Sequence, residues 1–222
     1  MQTETSINHI PANSVQGAVS GSVISRPILF STEMVQAILD GRKTQTRRIV
    51  KEPFQTWMQT TTNPEWWNGI ETQCKHGQIG DILWVRETWQ YVEFGCEPEE
   101  CGYVYKASEN GRDWQDNDKE WKWKPSIFMP REACRIELRI TNIKVERLQS
   151  ISEEDAICEG VKKINNGIYE CYTPDTDPPF LNAKESFETL WKSINGELSW
   201  NENPFVWAIT FERTEMPSKH YR

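Results

Sequence analysis

The chain has 222 residues, with 25 Lys and Arg against 33 Asp and Glu and a formal net charge of -8. That length is enough for one buried core, with or without insertions, and the acidity excludes a molecule that holds nucleic acid over its whole surface. No run of 18 apolar residues exists to span a membrane, and no basic region followed by an apolar run marks a signal peptide, so a cytoplasmic protein without membrane partners is expected.

Residues 1–24 carry one charged side chain, Glu4, and no periodicity, which predicts a flexible tail or an arm that orders on a partner. A short apolar strand follows at 27–30. Met34, Val35, Ile38 and Leu39 then fall at helical spacing, predicting a helix over 32–40. Ser31 or Thr32 caps it, and Gly41 suits its left-handed end. Next comes Gly41-Arg42-Lys43-Thr44-Gln45-Thr46-Arg47-Arg48, with four cations and two hydroxyls in an acidic chain. It reads as an ordered turn before a strand that begins at Ile49-Val50. Three roles suit it: cations favouring the negative end of a helix dipole, a phosphate-binding patch, or a catalytic site.

Residues 51–78 hold Trp57, Trp66 and Trp67 without a clean period and read as an insertion. Gly80-Asp81 is a turn. The strand after it alternates Leu83, Val85 and Glu87 with Trp84, Arg86 and Thr88. Its charges suit a buried pair or a wall that recognises a base. Residues 91–94 and 103–107 predict a hairpin, and 108–120 a polar loop. Trp121-Lys122-Trp123-Lys124 suits either a stacking platform or a sheet edge protected by lysines. Residues 134–148 give the clearest strand pattern, with a turn expected at Asn142.

Ser152 caps a helix with an acidic first turn. Glu159 sits near its C-terminal end, where an acid opposes the dipole; such local conflicts mark places where function outranks stability. Residues 162–183 are a second polar insertion. Phe187, Leu190, Trp191 and Ile194 share one face of a helix over 184–194, and a closing strand precedes a tail at 214–222. Strand and helix do not alternate, so the fold class is α+β, a small mixed or antiparallel barrel with peripheral helices. The six cysteines show no C-x-x-C pair. Cys74, Cys96 and Cys101 with His76 have a spacing that a zinc site permits, but reduced cysteines are the simpler reading, and no metal or cofactor is expected.

Gly41, Lys43, Thr46 and Arg48 match the G-x-K-x-x-T-x-R signature of the ASCH domain, a member of the PUA-like superfamily. The strand and helix before it, Gly80-Asp81-Ile82-Leu83-Trp84-Val85, the acidic helix over 151–159 and the closing strand over 204–211 resemble that family's landmarks in order. The resemblance covers roughly 26–213, with insertions near 51–78, 108–132 and 162–183, and is closest to the longer ASCH proteins of phages and prophages. It implies a PUA-like barrel and a nucleoside, RNA or modified base as partner. A small bacterial member hydrolyses N4-acetylcytidine, and the positions of its catalytic set are Lys43, Thr46 and Glu159 here. In the implied mechanism Thr46 attacks the amide, Lys43 takes its proton, and Glu159 orients Lys43 or activates water. Arg48 has a binding role, and Arg47, Arg86 and Trp84 are further candidates for substrate binding. A non-catalytic reader of RNA or modified bases, a ribonuclease and a phage interaction protein are the rival expectations.

Overall fold

The computed structural model describes residues 22–61, 69–93, 101–108, 122–164, 167–173 and 180–215. Its strands are β1 (Ser25–Leu29), β2 (Gln45–Ile49), β3 (Ile82–Arg86), β4 (Trp89–Glu93), β5 (Cys101–Tyr105), β6 (Glu137–Arg147) and β7 (Phe205–Arg213). Its helices are α1 (Thr32–Leu39), α2 (Phe54–Thr60), α3 (Glu153–Cys158) and α4 (Ala183–Asn195). The chain is α+β. Five strands form one sheet in the order β1-β3-β6-β7-β2, and β4-β5 form a separate hairpin. Only the β1–β3 pairing is parallel.

The sheet is open, which corrects the expectation of a barrel. Its edges, β1 and β2, share no ladder; the Arg48 side chain reaches across, donating to the Leu29 carbonyl at 3.0 Å. β7 lies inside the sheet, between β6 and β2, and is buried on both faces. Trp207, Ile209 and Phe211 join the main core with Leu83, Val85, Leu138 and Ile140, while Val206 joins a second core with Ala156, Phe187, Trp191 and Trp200. A strand with apolar residues on both faces has no period of two to read, as its near-continuous run PFVWAI shows.

β6 runs unbroken through Asn142, so the expected turn is absent. Ile140 pairs with Phe211 and Asn142 with Thr210, leaving Thr141 as one extra residue. A bulge shifts the alternation by one position without reversing the chain. Residues 51–78 are not all loop either. α2 buries Met58, and its Gln55 amide clamps two backbones, donating to Val50 O and Phe205 O and accepting from Phe205 N. Seven residues are too few to declare a helical period. The hairpin forms as expected, and Lys124 pairs backbone to backbone with Trp89 beside it. Trp121 and residues 1–21, 62–68, 94–100 and 109–120 lie outside the described residues.

Candidate functional site

Ser31 caps α1 by accepting from Met34 N, and Gly41 leaves the helix with φ +74°. The Arg42 and Lys43 amides both donate to Ala37 O at 2.9 Å, and Thr44 N donates to Cys158 O. Lys43 also bridges Glu159 as an isolated antiparallel pair. The backbone of Lys43 is therefore held by α1 and by the end of α3. β2 begins at Gln45 rather than at Ile49, so Thr46, Arg47 and Arg48 are strand residues, not turn residues. Pairing with β7 decides this, against the poor strand propensity of a run of cations.

Lys43 and Glu159, 116 residues apart, meet in the interior. Their side chains are 0% and 4% exposed. Lys43 Nζ donates to the Glu159 carbonyl at 2.7 Å and to its Oε2 at 2.9 Å. Arg47 takes the other carboxylate oxygen, with Nη1 at 3.1 Å from Oε1. Glu159, placed against the helix dipole, is thus paid for by two buried cations. Arg47 uses every N–H it has: two on Glu146 Oε1, one each on Glu159, Asp155 and Gln45 Oε1. Lys144 completes the network on Glu146 and Asp155. Burial pushes the Lys43 ammonium below its usual range, and Glu159 opposes this without prevailing.

Burial alone would raise Asp155, but hydrogen bonds and charge from Lys144 and Arg47 hold its carboxyl below 3.8. Its contribution to stability is therefore present above pH 3.8 and lost as pH falls through its lower folded value. The stability gap between wild type and Asp155→Asn is expected to be full at pH 6–7 and to close under acid; urea titrations across that range would expose a constant gap as contrary evidence.

Thr46 and Arg48 alternate with Gln45 and Arg47 along β2, so they leave its other face. Thr46 is completely buried. Arg48 Nη1 donates to Thr46 Oγ1 at 2.7 Å and to Arg47 O, and its guanidinium lies 5.2 Å from the Phe30 ring. Lys43 Nζ lies 5.8 Å from the same ring. No hydrogen bond joins Lys43 to Thr46.

Two cavities meet at Glu159. The smaller, about 240 Å³, is lined by Arg47, Arg48 and mostly apolar side chains of β1, α1 and α4. The larger, about 440 Å³, is polar, with Glu33, Asp40, Arg42, Lys162, Glu170 and Tyr172 in its wall. They share Glu159, Met34 and Leu190. Neither Lys43 nor Thr46 reaches these walls. Gly160, beside Glu159, has φ +92°, and a Cβ there would stand 2.9 Å from Lys43 Cβ and 3.0 Å from Ala37 Cβ. Gly160→Ala is expected to cost about 1–3 kcal/mol and to displace Lys43, read out by thermal unfolding.

The structure brings together Lys43, Glu159, Arg47 and Arg48, and leaves Arg86 and Trp84 elsewhere. Arg86 is held by the carbonyls of Met129 and Ile127 and stacks 5.5 Å from Trp84. The buried pair on that strand joins Glu87 to Arg135, at 2.7 and 2.8 Å. Cys74 is buried, and burial with Arg48, Lys75 and Lys51 nearby lowers His76 to about 4. Among the described residues no group of three or more His, Cys, Asp or Glu could hold a metal. Cys96 lies outside them. No helix among them is long and apolar enough to cross a membrane.

Sequence reasoning missed Gln45, Glu146, Lys144 and Asp155 as parts of the network. The acidic first turn of α3 was visible, but read only as a dipole preference. Comparison with protein-family models, with curated proteins and with solved structures finds no match to this chain.

Proposed function

We propose that the chain is an ASCH-like, PUA-related amidohydrolase that removes the acyl group from an N-acylated nucleoside. One observation carries this reading: Glu159, which lines both cavities, is paired with a fully buried Lys43 just behind their walls, and burial lowers the ammonium toward proton transfer. The polar cavity takes the nucleoside, and the carbonyl lies at the Glu159 boundary.

In the reaction, Thr46 Oγ1 adds to the amide carbonyl and its proton passes to Lys43 in the amine form. Collapse expels the nucleoside amine, which takes that proton. Water then hydrolyses the acyl ester: Glu159 accepts a proton from the attacking water and returns it to Thr46 Oγ1 as the ester C–O bond breaks and the acid leaves. Arg48 donates to Thr46 Oγ1, which leaves the hydroxyl proton free to be taken. The reading requires Thr46 and Lys43 to come within reach of each other when substrate binds, since nothing links them in this state.

A second reading draws support from Thr46, which is completely buried and lines neither cavity. In it the same site binds a nucleoside or modified base and does no chemistry. Incubation with N4-acetylcytidine, with chromatographic detection of cytidine, separates the two. Turnover that a Thr46→Ala variant lacks supports hydrolysis; binding without turnover in the wild type defeats it and supports the second reading.

A further inference from the structure

Lys43, Arg47 and Lys144 share Glu146, Asp155 and Glu159, three cations to three carboxylates, and Arg48 leaves the other face of β2. Lys43, Arg47 and Lys144 each contact a carboxylate. Arg48 does not. Its hydrogen bonds go to Thr46 Oγ1, Arg47 O and Leu29 O, all neutral acceptors. Its Nε–H and one Nη2–H carry no hydrogen bond among the described residues. Half-buried cations are stable when an anion pairs with them; among the described residues no carboxylate hydrogen-bonds Arg48, and Glu159, already held by Lys43 and Arg47, acts on it only through space.

This guanidinium borders the 240 Å³ cavity, whose wall also holds Arg47 and the Glu159 carboxylate that Lys43 and Arg47 neutralise, and is otherwise largely Leu29, Met34, Phe187, Leu190, Trp191 and Ile194. At ~30 Å³ per water-sized group, the space holds about eight non-hydrogen atoms. A whole nucleoside exceeds it, and an acetyl group leaves most of it empty. An inorganic anion satisfies Arg48 but leaves the apolar wall uncovered.

We infer that the smaller cavity is a binding site for a short-chain carboxylate, with Arg48 on the carboxylate and α4 along the chain. A six-carbon acid has the size of the space. If the hydrolytic reading holds, this is the acid released by deacylation, and acyl groups longer than acetyl are the preferred substrates. That link rests on the hydrolytic reading; the binding does not.

The test is isothermal titration of the full chain with acetate, butyrate, hexanoate, hexylamine and inorganic phosphate. Affinity is expected to rise about fourfold per methylene from acetate to hexanoate, with hexylamine at least tenfold weaker than hexanoate. Arg48→Met is expected to weaken hexanoate at least tenfold, its fold checked by circular dichroism. Ile194 is 53% exposed and lines the cavity, so Ile194→Trp narrows it without disturbing the core. That variant is expected to weaken hexanoate while sparing acetate, and it decides the question if Arg48→Met does not fold. Affinity independent of chain length, hexylamine binding equal to hexanoate, or phosphate binding as tightly as hexanoate overturns the inference. A protein that binds hexanoate but turns over no acylated nucleoside keeps this site and loses the hydrolase. One that turns over N4-acetylcytidine but binds no carboxylate does the reverse.

Discussion

Arg47→Met is expected to lower the unfolding free energy by about 3–5 kcal/mol, among the largest effects of any single substitution in this chain. Methionine fills much of the space but returns none of the five N–H donors. Glu159 would keep Lys43, Glu146 the half-exposed Lys144, and Asp155 only Lys144 and the neutral Gln45 amide. Removing one member of a buried charge network is costly because the partners stay behind desolvated, not because the network itself is a large net gain. For a domain of this size, the loss corresponds to a fall in Tm of about 10 °C. Urea unfolding is the direct measurement, and a change below about 1 kcal/mol would sink the view that Arg47 organises the interior.

The largest effect on activity is expected at Lys43. Under the hydrolytic reading, Lys43→Met lowers kcat/KM for the acylated nucleoside by about 10²–10⁴, the usual contribution of a positioned base. Lys43→Arg separates its two possible roles. Arginine keeps the charge but does not give up its proton, so it restores activity if the cation only polarises the carbonyl and fails if the amine takes a proton. Kinetics of both variants against wild type decide between them. The pH dependence has a fixed sign. Burial lowers folded Lys43 below 10.5, so the unfolded chain binds more protons between the folded value and 10.5. Wild-type stability relative to Lys43→Met therefore rises with pH across that window, and a fall would contradict the buried, desolvated ammonium.

Much of the site could be read locally. Met34 to Leu39, the Ser31 cap and Gly41 marked α1 and its end, and the structure has all three. Glu159 stood out because it opposed its helix dipole, and its two buried cation partners explain why it is tolerated. Arg47 was marked as a binding candidate, yet all its donors are occupied by protein. Nothing adjacent to it in the chain announces Glu146, Asp155 or Glu159, which lie about a hundred residues away.

The amino-acid sequence by itself determined α1, α3 and α4 with their caps, the hairpin and the cluster of cations after α1. These depend on neighbours three or four residues apart, or on alternation along one strand. Only the tertiary structure decided that β2 starts at Gln45, that β6 bulges at Thr141 instead of turning, and that the sheet stays open. It also decided which cation meets which carboxylate, and that Glu159 stands between two cavities. Strand pairing and buried ion pairs are contacts between distant segments, and their geometry exists only once the sheet has brought β2, β6 and the end of α3 together.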